Sequence, residues 1–122
     1  MKASVRQFDI EKEYYFTEGC FITELSNSAH DLEMSIARAR VEPGTTTRWH
    51  RLRGTSERYV IGAGTGLVEI DSLPAQEVNV GDVVIIPAGS RQRISNTGSA
   101  DLVFLAICAP PFRPGVYEDM DS

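Results

Sequence analysis

Residues 44–64 read GTTTRWHRLRGTSERYVIGAG, and residues 81–96 read GDVVIIPAGSRQRISN. Each stretch opens on a glycine and is punctuated by Gly or by Pro87-Ala88-Gly89, as paired short strands joined by tight turns are. Side chains repeat at period two along a strand. His50 and Leu52 therefore share one face, Glu57 and Tyr59 share another, and Gln92 and Ile94 a third. If those faces all point inward, His50, Glu57 and Gln92 converge.

Working outward, the same rhythm covers most of the chain. Strand signals fall at residues 20–25, 34–41, 46–52, 57–61, 67–70, 76–80, 83–86, 91–95 and 101–108, separated by Gly, Pro, Asn and Asp. That spacing predicts an all-β sandwich or closed barrel. The helix signal is weak: residues 8–16 carry Glu11, Lys12 and Glu13 but no sustained apolar face. Residues 102–108, LVFLAIC, are apolar throughout, which predicts a strand covered on both faces. One face would line the barrel. The other would need a second sheet, the N-terminal segment or a partner subunit, and this is the reason to expect a homodimer.

The chain has 122 residues, which suits one domain, and 42% hydrophobic residues, enough for a core. Its net charge of −5 weighs against a nucleic-acid partner. No run of 18 apolar residues predicts a membrane span, and the N-terminus lacks the apolar core of a secretory signal. Cys20 and Cys108 match no metal or redox spacing and read as reduced thiols in a cytoplasmic protein. Gly62 to Gly66 is followed by β-rich residues rather than a helix, so it is no dinucleotide fingerprint.

The two glycine-led stretches resemble the two motifs of the cupin family. The first motif is Gly, five residues, His-x-His, three or four residues, Glu, six residues, Gly; Gly44, His50, Glu57 and Gly64 match it. The second is Gly, five residues, Pro-x-Gly, two residues, His, three residues, Asn; Gly81, Pro87, Gly89 and Asn96 match it. The resemblance implies an all-β, single-domain, double-stranded β-helix (cupin or jelly-roll) barrel over residues 31–110. Residues 1–30 would form a strand or arm packing on the barrel or a partner. Residues 111–122 would form a tail that packs through Phe112 and Tyr117 and then frays. It also implies a metal site of three histidines and a glutamate, from which this chain departs: Leu52 and Gln92 stand at two histidine positions.

Two readings of the remaining set stay open. His50, Glu57 and Gln92 are candidate ligands of a divalent metal in a mixed nitrogen and oxygen site. The same three side chains also suit a hydrogen-bonded polar cluster, because a Gln amide both donates and accepts. Glu57 and Tyr59 are the candidate catalytic groups. Gln92 is a candidate ligand contact, as is Arg48, whose parity matches His50 and whose guanidinium would suit a carboxylate or phosphate. Trp49 has the opposite parity and reads as interface or second-layer packing, and His30 as surface. The expected function is a metal-assisted enzyme acting on an oxygen-rich small molecule, an isomerase, epimerase or dioxygenase-like protein. The alternatives are a metal-free ligand-binding protein or enzyme, and a non-catalytic structural subunit.

Overall fold

Glu57, Tyr59 and Ile61 are buried in turn along one strand while their neighbours turn outward, the signature of a strand covered on one face. That strand is one of eleven in residues 1–121, which the structure, a computed structural model, describes. In chain order they are β1 (Tyr14–Phe16), β2 (Cys20–Ser26), β3 (Ser35–Val41), β4 (His50–Leu52), β5 (Ser56–Ala63), β6 (Gly66–Ile70), β7 (Gln76–Val78), β8 (Val83–Ile86), β9 (Gln92–Asn96), β10 (Leu102–Ala109) and β11 (Tyr117–Asp119). Short 3-10 turns at Ile10–Lys12 and Pro114–Val116 are the helical elements among the described residues. No helix is long and apolar enough to cross a membrane.

The strands form two antiparallel sheets. One runs β1-β2-β3-β10-β5-β8 and the other β11-β4-β9-β6-β7. Phe104, Leu102, Ile61, Ile86, Ile94 and Val41 fill the space between them as the apolar core. The register places Glu57 opposite Cys108 on β10 and His50 opposite Gln92 on β9, so each sheet brings two of its polar side chains to the interior. Residues 20–26 pair with β3 and belong to the larger sheet, and β11 adds the tail to the edge of the smaller one.

Two positions explain the glycine spacing. A Cβ at Gly64, whose φ is +83°, would lie 2.6 Å from the Asp101 carbonyl oxygen. One at Gly66 would lie 2.8 Å from Leu102 Cδ2, so the β5–β6 turn lies against the start of β10 in a way only glycine allows. Asn96 ties off the second motif: its amide donates to the Val41 and Ala100 carbonyls, each at 2.8 Å, and its oxygen accepts from the Gly98 amide at 2.9 Å.

One expectation needs correcting. The strand expected from residue 46 starts only at His50; Thr46 makes an isolated bridge to Ser95, and residues 47–49 are irregular. Strand β10 buries Leu102, Phe104 and Cys108, while on its outer side Val103 and Ile107 are half-buried and Leu105 is 36% exposed within a single chain.

Candidate functional site

The two sheets enclose a chamber of about 60 Å3, whose walls include Glu57 and Tyr59 from β5, His50 and Leu52 from β4, Cys108 from β10 and Glu18 from the β1–β2 turn. Tyr14, Phe16, Glu24 and Phe112 line this chamber and also a wider outer one of about 580 Å3. These four residues therefore form the passage from the outside to the interior.

Two hydrogen-bonded strings run through the interior. In the first, the Tyr59 hydroxyl donates to Gln92 Oε1 at 2.7 Å, and Gln92 Nε2 donates to Glu57 Oε1 at 2.9 Å. Cys108 Sγ lies 3.7 Å from the other Glu57 oxygen. In the second, His50 Nδ1 donates to the Arg48 carbonyl at 2.7 Å, and Nε2 faces Glu18 Oε1 at 3.1 Å. An imidazole between a carbonyl and a carboxyl needs a proton on each contact, so this pair holds one proton between Nε2 and Oε1. Cys20 Sγ donates to the second Glu18 oxygen at 3.4 Å. The Tyr117 ring stacks on His50 with centroids 5.2 Å apart, fixing the imidazole plane.

Burial, reinforced by repulsion from Glu18, pushes the Glu57 carboxyl up to about 7; the Gln92 hydrogen bond and His50 pull the other way and lose. Burial likewise holds the Tyr59 phenol well above its ordinary value, so it stays a hydrogen-bond donor. Both cysteines are free and buried, and burial raises their thiols too, so neither is a ready thiolate.

Of the residues singled out in the sequence, Glu57, Gln92 and Tyr59 come together in one string, and His50 lines the same chamber. Gln92 satisfies Glu57 but not His50; Glu18 takes that place. Arg48 is different. The irregular residues 47–49 break the parity with His50, and the Arg48 guanidinium lies at the surface, 2.9 Å from Asp119. Trp49 is covered by Arg91 and Arg93, whose guanidinium carbons lie 3.8 and 4.5 Å from its ring centroid. His30 is exposed in a turn. Glu18 and Tyr117 were missed. Each lies outside the motifs, and only the fold brings them to His50.

The donor set bears directly on a metal. A ligand must offer a free lone pair. Both His50 nitrogens face acceptors, Gln92 Oε1 already accepts from Tyr59, and Gln92 turns its donor, not its oxygen, toward Glu57. Among the described residues no three His, Cys, Asp or Glu side chains are grouped to hold an ion. As arranged, these residues do not fit a divalent metal.

Two antiparallel sheets closed over a largely apolar chamber, with a hydrogen-bonded polar string inside, define a double-stranded β-helix barrel. Residues 37–108 match the Cupin domain family, and the chain belongs to that family. It is 33% identical over 78 residues to the oxalate-binding protein of Thermotoga maritima, a match covering 64% of each sequence, so the chain spans just under two thirds of that relative's length. Among solved structures it resembles a predicted oxalate decarboxylase from the same organism, at a TM-score of 0.68 and 28% identity, covering 75% of this chain and 80% of that one. It also superposes on the nucleoside dehydratase Pac13 of Streptomyces, at a TM-score of 0.77 over 96% of this chain and 92% of that one. At 17% identity, that last likeness is one of fold.

Proposed function

We propose that this protein is a metal-free cupin that binds a small organic molecule inside the barrel and moves protons on it with Glu57. The observation that carries the reading is the Tyr59–Gln92–Glu57 string, which aims a buried carboxyl into a chamber. Gln92 fixes the orientation of that carboxyl, and Tyr59 fixes Gln92. A carboxyl poised near neutrality both takes and returns a proton. The His50–Glu18 pair supplies a second proton-holding unit on the wall of the same chamber. Two such units serve the isomerase and epimerase side of the expected chemistry, in which one group removes a proton and another delivers one.

The oxalate named for the Thermotoga relative does not carry over to this pocket. Glu24 and Glu57 line the inner chamber and, among the described residues, no lysine or arginine does, so a dianion would enter toward carboxyl groups with no such cation to meet it. The reading is tested by proton exchange: a panel of small hydroxy- and amino-carbonyl compounds is incubated with the protein in D2O and followed by NMR. Deuterium incorporation that disappears in Glu57→Gln supports proton transfer by Glu57. Incorporation that survives that substitution contradicts it.

A homodimer is part of the same proposal. On the outer face of the larger sheet Val83, Val60 and Leu105 stand in one cross-strand row, with Ile85 and Ile107 beside them. Ile85 and Val83 are 66% and 56% exposed, an apolar patch of the kind that marks an interface. The buried free thiols of Cys20 and Cys108 suit a reducing compartment such as the cytoplasm.

A further inference from the structure

The walls of the inner chamber carry charge of one sign. Glu18, Glu24 and Glu57 line it, and among the described residues no lysine or arginine does. Its single imidazole is committed to Glu18, so that pair is neutral as a unit and Glu24 and Glu57 are left without a cationic partner inside. The arginines close by are held elsewhere. Arg48 binds Asp119, Arg51 binds Glu118, and Arg113 lines the outer chamber alone, where it donates to Asn27 Oδ1 at 2.7 Å and to the Phe112 carbonyl at 3.0 Å.

The rest of the wall is apolar, with aliphatic side chains such as Ile22, Leu52 and Ala106 set among aromatic rings. Tyr14, Phe16 and Phe112 ring the passage, and Tyr59 and Phe104 lie deeper, with ring centroids 4.3 Å apart. Aromatic faces are electron-rich and attract cations, most strongly where water is excluded. Ionised carboxylates accept hydrogen bonds and donate none. A chamber built of both offers an entering anion no lysine or arginine to pair with, among the described residues, and offers an entering N–H cation acceptors and ring faces together. Size adds a constraint. One water needs on the order of 10–15 Å3, so the 60 Å3 chamber admits a head group rather than a whole ligand.

Resting on the reading of this chamber as the ligand site, we propose that its ligand is a small organic amine. Its protonated nitrogen enters past Glu24 toward Glu57, and the body of the molecule lies in the outer chamber. Glu24 sits in the passage, with its Oε1 3.5 Å from the Tyr14 hydroxyl, and would be the first carboxylate the cation meets.

The test uses three ring compounds of nearly the same shape and different charge, benzylamine, benzyl alcohol and benzoate, with oxalate as a fourth probe. Binding to the full chain is measured by calorimetry at about pH 8. The expected order is benzylamine tightest by about tenfold over benzyl alcohol, with benzoate and oxalate not binding. In Glu24→Gln, a substitution in the passage rather than in the Tyr59–Gln92–Glu57 string, benzylamine weakens severalfold and benzyl alcohol is unchanged. Benzoate or oxalate binding as tightly as the amine overturns the proposal. So does equal binding of amine and alcohol, or an amine affinity that Glu24→Gln leaves untouched. Failure of all three ring compounds to bind also overturns it. None of these outcomes touches the proton-exchange result with Glu57→Gln, so failure of the ligand class is separable from failure of the acid–base reading.

Discussion

Glu57 is a buried carboxyl whose proton persists in the fold to about 7, against an ordinary value of 4.5. Between those two values the unfolded chain binds fewer protons than the folded one, so this group's contribution to stability falls as pH rises through that window and stays low above it. A displacement of that size corresponds to roughly 3 kcal/mol. Glu57→Gln keeps the acceptor for Gln92 and removes the charge. The variant should be more stable than the wild type at pH 8 by up to that amount, with the difference vanishing below pH 4.5; denaturant titrations across that range check it. Tyr59→Phe acts at the other end of the string. It leaves buried Gln92 Oε1 without its 2.7 Å donor and should cost about 1–3 kcal/mol at all pH values, read from the denaturation midpoint. The motif spacing already pointed to three members of this string, because parity within β5 and within β9 is local information. Glu18 was not legible. It reaches His50 through a turn that lies against β4, the Arg48 amide donating to the Glu18 carbonyl at 2.8 Å, and no local pattern in the sequence encodes that contact.

Strand rhythm carried most of the fold at the level of elements, because short apolar or alternating runs bounded by Gly, Pro, Asn and Asp mark strands and turns. Strands β3, β8 and β10 fall within about a residue of the expected bounds. The expectation fails where a strand-like run continues without a ladder. Residues 46–49 read as the start of a strand, yet the chain there bridges only at Thr46, so the strand parity that aims Arg48 inward does not hold. The tail shows the opposite case. It is expected to pack through Phe112 and Tyr117 and then fray, but Glu118 and Asp119 meet Arg51 and Arg48 across the edge of β4 and residues 117–119 become β11. Gly64 tests the β5–β6 corner. Gly64→Ala places a methyl 2.6 Å from the Asp101 carbonyl oxygen at a φ of +83°, and should destabilise the chain by about 2–4 kcal/mol, measured by chemical denaturation.

For the whole molecule, the outer face of the larger sheet and the donor set inside it make separate demands. An apolar row through Val83, Val60 and Leu105 predicts twice the chain mass by light scattering, and Ile85→Glu should shift the population to single chains while leaving the β-sheet signal intact. A wild type that is monomeric at high concentration would remove the dimer. Inside, His50, Glu57 and Gln92 are held by protein hydrogen bonds rather than turned together onto one point, and the proposed barrel works without an ion. The direct measurement is elemental analysis of untagged protein after incubation with excess divalent ions and desalting, alongside melting curves with and without chelator. The account predicts metal far below one equivalent per chain and superimposable melting curves. About one equivalent of retained metal, lost in His50→Ala and accompanied by a lower melting temperature in chelator, would contradict it.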